Sequence, residues 1–132
     1  MMKHTCVAGE TRTFEKQVGP EDVASFNGQV VHAVCATFAL AQAVEWACRL
    51  FVLEMKEADE EGLGIMLHLN HKGPAFPGET IRISATLQSI AGNSVWCSFV
   101  AQVGDRLVAT GETGQKILKK EKIKKLLTPN PS

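Results

Sequence analysis

The sequence predicts an α+β domain in which one antiparallel sheet curls around a single long helix. Residues 35–58 contain no Gly or Pro and many strong helix formers, which is typical of a long helix. After Gly62 and Gly64 the pattern changes to the alternation of apolar and polar residues that is typical of strands. One strand before the helix and four after it predict a five-stranded sheet packed on that helix.

Alternation and turn residues predict each strand in turn. Residues 9–18 alternate weakly and form the first predicted strand, and Pro20 is expected to open a helical turn that runs through Ser25. A loop is expected at residues 26–28. The remaining strands are predicted at residues 65–71, 79–90, 94–103 and 107–118, and turn residues separate them.

The ends of the two predicted helices follow from breaker residues. Gly62 and Gly64 are expected to close the acidic end of the central helix. Residues 119–127 are basic and are predicted as one further helix before Pro129 and Pro131. We therefore expect a single domain over residues 1–132, with a core at about 9–118 and a basic tail at 119–132.

Composition and charge favour a small-molecule ligand. Hydrophobic residues make up 45% of the chain and charged residues 21%, which is typical of a globular protein. Fourteen basic residues balance fourteen acidic ones, so we expect neither nucleic acid nor a membrane as a partner. No apolar run reaches the roughly 18 residues of a membrane helix, and we expect a cytoplasmic protein.

The cysteines do not follow the spacing of a metal site. Cys6, Cys35, Cys48 and Cys97 are scattered without a C-x-x-C pair, so we expect reduced thiols, three of them in the core, and no bound metal. Nucleotide-binding and metalloprotease signatures are also absent from the sequence.

Glu45 lies within the most apolar part of the predicted helix. Two interpretations fit this pattern. Gln42, Glu45 and Arg49 can form a solvated stripe with an i,i+4 ion pair. Alternatively the stripe borders a pocket, in which partial desolvation makes the Glu45 carboxylate useful as a base or nucleophile.

Thr37 precedes Glu45 by eight residues, which places it two turns earlier on the same helix. Its hydroxyl can simply cap the helix, or it can line one groove together with Glu45. The free N–H groups at this helix end are suited to hold a carbonyl oxygen that gains negative charge.

His68 and His71 are three residues apart on a predicted strand. They therefore point to opposite faces of the sheet and cannot hold one metal ion together. His71 stands at the end of its strand, where functional side chains are frequent, although a lone surface histidine is equally consistent with the pattern.

Three segments together resemble the fluoroacetyl-CoA thioesterase family of hotdog-fold proteins. They are ATFALAQAVEWAC at residues 36–48, GLGIMLHLNH at residues 62–71 and PAFPGETIRISATL at residues 74–87. The resemblance implies hydrolysis of an acyl-CoA to CoA and a carboxylic acid without a further cofactor. It implies Thr37, Glu45 and His71 as the catalytic set, with Glu45 as base or nucleophile, Thr37 as its hydrogen-bonding partner and His71 as proton donor.

The resemblance also implies substrate contacts. Gly64 matches a family glycine whose backbone helps to hold the substrate, and Val31 lies in the segment that matches the family's lid. That segment is shorter here and lacks the lid's phenylalanines, which argues against selectivity for fluoroacetyl groups. Lys72 is a candidate for the CoA phosphates because it flanks a strand end, as are Lys116, Lys119 and Lys120. A family arginine on the last strand is replaced by Gln115.

Two other functions are consistent with the same fold. An enoyl-CoA hydratase or dehydratase adds or removes water at a carbon–carbon double bond, but such enzymes place an Asp before the helix, and none lies near His32. A protein that binds acyl-CoA or another small acid without turnover is the third possibility. One sheet over one helix leaves apolar surface, so we expect a homodimer or a dimer of dimers.

Overall fold

A computed structural model of the protein describes residues 1–129. Two α-helices, one short 3-10 helix and seven strands make up this part of the chain. In chain order they are β1 (Thr11–Gln17), the 3-10 helix (Pro20–Asp22), β2 (Val23–Phe26), β3 (Gln29–Cys35), α1 (Thr37–Met55), β4 (Glu60–His71), β5 (Thr80–Ala91), β6 (Ser94–Val103), β7 (Arg106–Lys119) and α2 (Lys120–Leu127).

Five of the strands form one antiparallel sheet with the order β1-β5-β6-β7-β4. Strands β5, β6 and β7 follow one another as hairpins, whereas β4 pairs with β7 and β1 pairs with β5. Strands β4 and β1 are therefore the two edges of the sheet. The five-stranded antiparallel sheet around a long helix confirms the predicted fold class.

The core lies between α1 and the inner face of the sheet. Ile81, Ile83, Ala85 and Leu87 alternate along β5, and all four are buried, as their spacing predicts. From the helix, Leu40, Val44, Ala47, Phe51 and Met55 fill the other side of this layer. The opposite stripe of α1 carries exposed side chains and faces away from the sheet.

The central helix is shorter than predicted. It ends at Met55, and Lys56 is already extended with φ −72° and ψ 148°. Acidic residues follow from Glu57, and negative charge is unfavourable at the carboxyl end of a helix. Gly62 and Gly64 lie within β4, so the prediction that they close the helix was wrong. At Gly62 the helix passes so close that an added Cβ would lie 2.7 Å from Cγ1 of Val52.

Strands β2 and β3 form a separate hairpin that sequence analysis missed. Asn27 and Gly28 connect them, and their φ values of 53° and 78° are those of a two-residue turn with left-handed backbone. Asn-Gly is the strongest short hairpin signal, but the flanking residues do not alternate cleanly. The helical turn was expected from Pro20 through Ser25, but it ends at Asp22, because residues from Val23 onward pair with β3.

The carboxyl-terminal part follows the prediction closely. Helix α2 spans Lys120–Leu127, and Pro129 lies beyond its end. Pro131, the second proline expected after this helix, lies outside the described residues. Within residues 1–129, neither helix combines the length and the hydropathy required to cross a bilayer.

Candidate functional site

Thr37 and His71 meet at the amino-terminal end of α1. Thr37 is the first residue of the helix, and His71 is the last residue of β4. The Thr37 hydroxyl oxygen lies 2.9 Å from Nδ1 of His71, which is hydrogen-bonding distance. Ala36 is the N-cap, and no side chain among the described residues caps this helix end. The capping interpretation of Thr37 is therefore wrong, because its hydroxyl contacts His71 instead.

Glu45 borders a cavity of about 240 Å³ on the side of α1 that faces β4 and β7. The cavity is lined by Gln42, Glu45, Trp46, Arg49, Gly62, Gly64 and Gln115. Gly64 and Glu45 both line this cavity, and a Cβ added to Gly64 would meet nothing within 4 Å. The missing side chain leaves open space beside the carboxylate. Glu45 is an exposed residue that borders this cavity, so its role as base or nucleophile stays a prediction.

Arg49 does not form the i,i+4 pair with Glu45. Its Nη2 lies 2.6 Å from Oε1 of Glu61 on β4. Burial opposes ionisation of Glu61, yet hydrogen bonds from the Gly62 N–H and the Arg49 guanidinium outweigh it and hold its pKa below the ordinary value. Arg49 is therefore neutralised by a neighbour other than Glu45, and the Glu45 carboxylate is left to the cavity.

A β-bulge interrupts β4 next to Glu45. The register with β7 shifts between Gly64 and Met66, so Ile65 has no directly opposite partner on β7. A bulge disrupts the local hydrogen-bond ladder and is frequent beside functional sites. On the far side of the bulge, β4 continues to His71.

The Thr37–His71 contact and the cavity of Glu45 both involve α1 and β4 but lie apart from each other. Glu45 is two turns beyond Thr37, which is about 12 Å along the helix. On the strand, Gly64 and His71 are separated by roughly 20 Å. One chain therefore brings Thr37 to His71 and Glu45 to Gly64, but it does not join the two pairs.

The other predicted substrate contacts line neither of these places. Val31 lies on the β2–β3 hairpin and is 51% exposed, and Lys72 is exposed directly after His71. Neither residue borders the cavity of Glu45. Gln115, in contrast, is buried in β7 and lines that cavity.

The remaining reactive side chains stay apart from the groove. The register of β4 with β7 places His71 and His68 on opposite faces, as their spacing predicts. Among residues 1–129 no cluster of three or more His, Cys, Asp or Glu side chains is arranged to hold a metal ion. All four cysteines are free and buried, which is one more than expected in the core. A hydrogen bond to Cys48, together with burial, raises the pKa of Cys97, so this thiol stays protonated.

Sequence analysis missed Gly62 as a cavity residue because it was assigned to the end of the helix. Trp46 was noted only as part of a motif, although it lines the cavity and is 42% exposed. The signal that could have identified Trp46 as a cavity residue is its position, as a large aromatic residue, next to a candidate catalytic carboxylate. Arg49 had been placed on the same stripe, but its pairing with β4 could not be read from helix spacing.

Comparisons with known proteins identify the family and the fold. The family profile for fluoroacetyl-CoA-specific thioesterase (FlK) matches residues 18–121. A thioesterase superfamily member from Thermus thermophilus is 32% identical, with a TM-score of 0.88 over 93% of this chain and 91% of that chain. A variant of FlK itself is 24% identical, with a TM-score of 0.87 over 95% of this chain and 97% of that chain.

A more distant structure shows the fold alone. The hot-dog-like protein from Thermanaerovibrio acidaminovorans is 18% identical, with a TM-score of 0.83 over 91% of this chain and 89% of that chain. A search of curated protein sequences gives no match. The profile match over residues 18–121 and the fold shared with the Thermus thermophilus protein show that the chain belongs to the fluoroacetyl-CoA-specific thioesterase family of hotdog-fold proteins.

Proposed function

We propose that the protein is an acyl-CoA thioesterase that hydrolyses a small acyl-CoA to CoA and a carboxylic acid. The observation that carries this proposal is the groove in which a hydroxyl–imidazole pair and a carboxylate beside an open glycine lie along the same helix and strand. Hydrolysis needs an oxygen nucleophile, donors for the carbonyl oxygen and a proton for the departing sulfur. The groove supplies a candidate for each.

Glu45 is the base or the nucleophile of the proposed reaction. As a base it takes a proton from water, whose oxygen forms the new bond to the thioester carbon. As a nucleophile it forms an anhydride that water then opens. In either case the carbon–sulfur bond breaks, the acyl group leaves as a carboxylic acid, and the sulfur leaves as CoA after it gains a proton.

His71 supplies that proton in the proposed mechanism. As the imidazolium, the ring donates from Nδ1 to the Thr37 hydroxyl and keeps its Nε2–H for the departing sulfur. Thr37 thereby fixes the ring orientation. The backbone of the bulge at Gly64 is the candidate for holding the carbonyl oxygen as negative charge develops.

The two halves of the site require a second subunit. Within one chain the carboxylate and the imidazole are too far apart to act on one thioester, since they are separated by about two helical turns. The edge strand β4 offers a route to a dimer. It is twelve residues long, and its exposed Ile65 and Leu67 are apolar, whereas the other edge, β1, carries Arg12, Glu15 and Lys16.

Antiparallel pairing of two β4 strands brings the halves together. If the pairing is centred on His68 and Ile65 is the bulged residue, Gly64 lies opposite the partner subunit's His71. Glu45, which borders the same cavity as Gly64, then faces the hydroxyl–imidazole pair of the other subunit. A symmetric dimer of this kind contains two equivalent sites.

The known ligands of FlK support an acyl-CoA substrate for this chain. Variants of FlK have been solved with fluoroacetate and CoA and with acetyl-CoA. In the present protein the β2–β3 hairpin takes the place of a longer lid and exposes Phe26, Val30 and Val31 near the start of α1. We propose that this hairpin covers the acyl group and that Lys72, next to His71, binds a phosphate of CoA.

Release of CoA tests the proposal. Purified protein is mixed with acetyl-, propionyl-, butyryl- and phenylacetyl-CoA, and a thiol-reactive dye reports free CoA. We expect turnover of at least one substrate and a loss of about 100-fold or more in kcat/KM for Glu45→Gln. Tight binding without CoA release would favour a binding protein, and hydration of an enoyl-CoA would favour a hydratase.

A further inference from the structure

A second cavity lies on the opposite side of α1, between the helix and the edge strand β1. Its volume is about 240 Å³. It is lined by Phe14, Lys16, Ala39, Gln42, Ala43 and Trp46. Gln42 and Trp46 also line the cavity of Glu45, so the two cavities adjoin across one ridge of the helix.

The ridge is short. Trp46 directly follows Glu45 and lies 100° further round the helix, and Gln42 lies between them in angle, one turn earlier. A group attached to a carbonyl carbon beside Glu45 therefore needs only a few bonds to reach the indole. Trp46 is 42% exposed, which leaves much of its ring available for contact.

The chemical character of the two cavities differs. The cavity of Glu45 also contains Arg49 and the buried Gln115, and an apolar chain placed there would displace water from charged and polar groups. The second cavity is lined by the rings of Phe14 and Trp46 and the methyl groups of Ala39 and Ala43, together with Lys16 and Gln42. Its Phe14 and Trp46 rings lie edge to face with centroids 6.4 Å apart.

The cation beside the second cavity is already neutralised. Nζ of Lys16 lies 2.9 Å from the carboxylate of Asp22, so this lysine offers its aliphatic stem and not a free charge. An anionic ligand is therefore not favoured in the second cavity. An apolar group is favoured, because it would cover surface that is now exposed to water.

We infer that the cleft between α1 and β1 is the subsite for an apolar acyl chain or ring, which reaches it from Glu45 across Gln42 and Trp46. This inference rests on the proposed function, since it takes an acyl-CoA as the ligand. The cavity has room for about eight groups the size of a water molecule or a methylene. Acyl groups of about six to eight carbons, such as octanoyl and phenylacetyl, are therefore the substrate class that it fits.

Filling the cleft tests the inference. In Ala39→Leu the larger side chain occupies the cavity, and we expect the ratio of kcat/KM for octanoyl-CoA to that for acetyl-CoA to fall at least about 10-fold. Phe14→Ala removes one wall without overfilling and is expected to lower the same ratio. Leu53→Ala is the matched control. Leu53 is 38% exposed on the same helix but lines neither cavity, so the ratio should not change.

A binding measurement separates failure of the subsite from failure of the proposed function. Octanoyl-CoA is titrated by calorimetry into Glu45→Gln and into the double variant that also carries Ala39→Leu. At least about 10-fold weaker binding in the double variant upholds the subsite even if no CoA is released. Equal binding, or a kcat/KM ratio that is the same in Ala39→Leu and wild type, overturns the subsite and leaves thioester hydrolysis untouched.

Discussion

The contact between Thr37 and His71 links a helix start to a strand end through two side chains. Their separation of 34 positions in the sequence gives no hint of this contact, and only the packing of α1 against β4 creates it. Residue type and position along each element could be predicted, because a Thr at a helix start and a His at a strand end are visible in the sequence. The distance between them could not.

Removing the Thr37 hydroxyl should lower activity and not stability. In Thr37→Ala the His71 ring loses the group that fixes its orientation, and we expect kcat to fall by about 100-fold or more. Thr37→Ser keeps the hydroxyl and should retain most of the rate. Steady-state kinetics and thermal melting of both variants check this, and equal rates for the two would contradict the assigned role.

An ion pair on the surface should make stability depend on acid. Arg106 donates two hydrogen bonds of 2.8 Å to Glu79, and together with the Phe76 N–H it lowers the pKa of Glu79 to about 2. Because the folded-state pKa is depressed, the stabilisation is present above the ordinary pKa and is lost as pH falls toward about 2. Glu79→Gln should therefore reduce stability at pH 7 and have little effect near pH 2. Urea titrations at both values, with exposed Glu15→Gln as the control, test this.

At the scale of elements, the accuracy of prediction followed the strength of the turn signals. Strand β6 was predicted at residues 94–103 and is found there, because Gly92-Asn93 and Gly104-Asp105 bound it. The ends of α1 were misplaced by two or three residues, since no Gly or Pro marks them. The β2–β3 hairpin was missed because it packs outside the main sheet and lacks a buried alternating face.

Substitution of the two glycines of β4 by alanine should have different effects, on stability at Gly62 and on activity at Gly64. A methyl group at Gly62 would lie 2.7 Å from Val52, so Gly62→Ala is expected to destabilise the protein by about 1–3 kcal/mol. At Gly64 the same methyl group enters open space beside Glu45, so Gly64→Ala should remain stable and lose activity toward acyl-CoA. Denaturant unfolding and CoA release measure the two effects, and an active Gly64→Ala would argue against that cavity as the reaction site.

A charge on the exposed edge of the sheet should prevent dimer formation. Leu67 pairs with the buried Thr113 and so lies on the helix side of β4, where it is 39% exposed between Gly64 and His71. Leu67→Lys is expected to yield monomers without thioesterase activity. Leu107→Lys adds the same charge at a residue of equal exposure, 40%, on β7 and should change neither property. Light scattering measures the oligomeric state, and kinetics measures the activity. A Leu67→Lys variant that stayed dimeric or active would contradict the proposed pairing of β4.

At the scale of the whole molecule, the fold class and the family could be predicted from the sequence. How the proposed site is shared between two subunits could not. Helix spacing places Thr37 and Glu45 two turns apart, and one groove shared by both was one of the two interpretations of Thr37. In the structure His71 contacts Thr37, whereas Gly64 lines the same cavity as Glu45. In the proposed mechanism, completing the site depends on how two chains associate, and a single sequence does not contain that relation.

Complementation between two inactive variants tests the proposed division most directly. Glu45→Gln and His71→Ala are each expected to be inactive, and co-expression with different affinity tags yields mixed dimers. In each mixed dimer, one site combines the intact His71 of one chain with the intact Glu45 of the other. A random mixture should therefore recover about a quarter of the wild-type activity. If purified mixed dimers remain as inactive as their parents, carboxylate and imidazole do not act across the subunit boundary, and the proposed shared site is wrong.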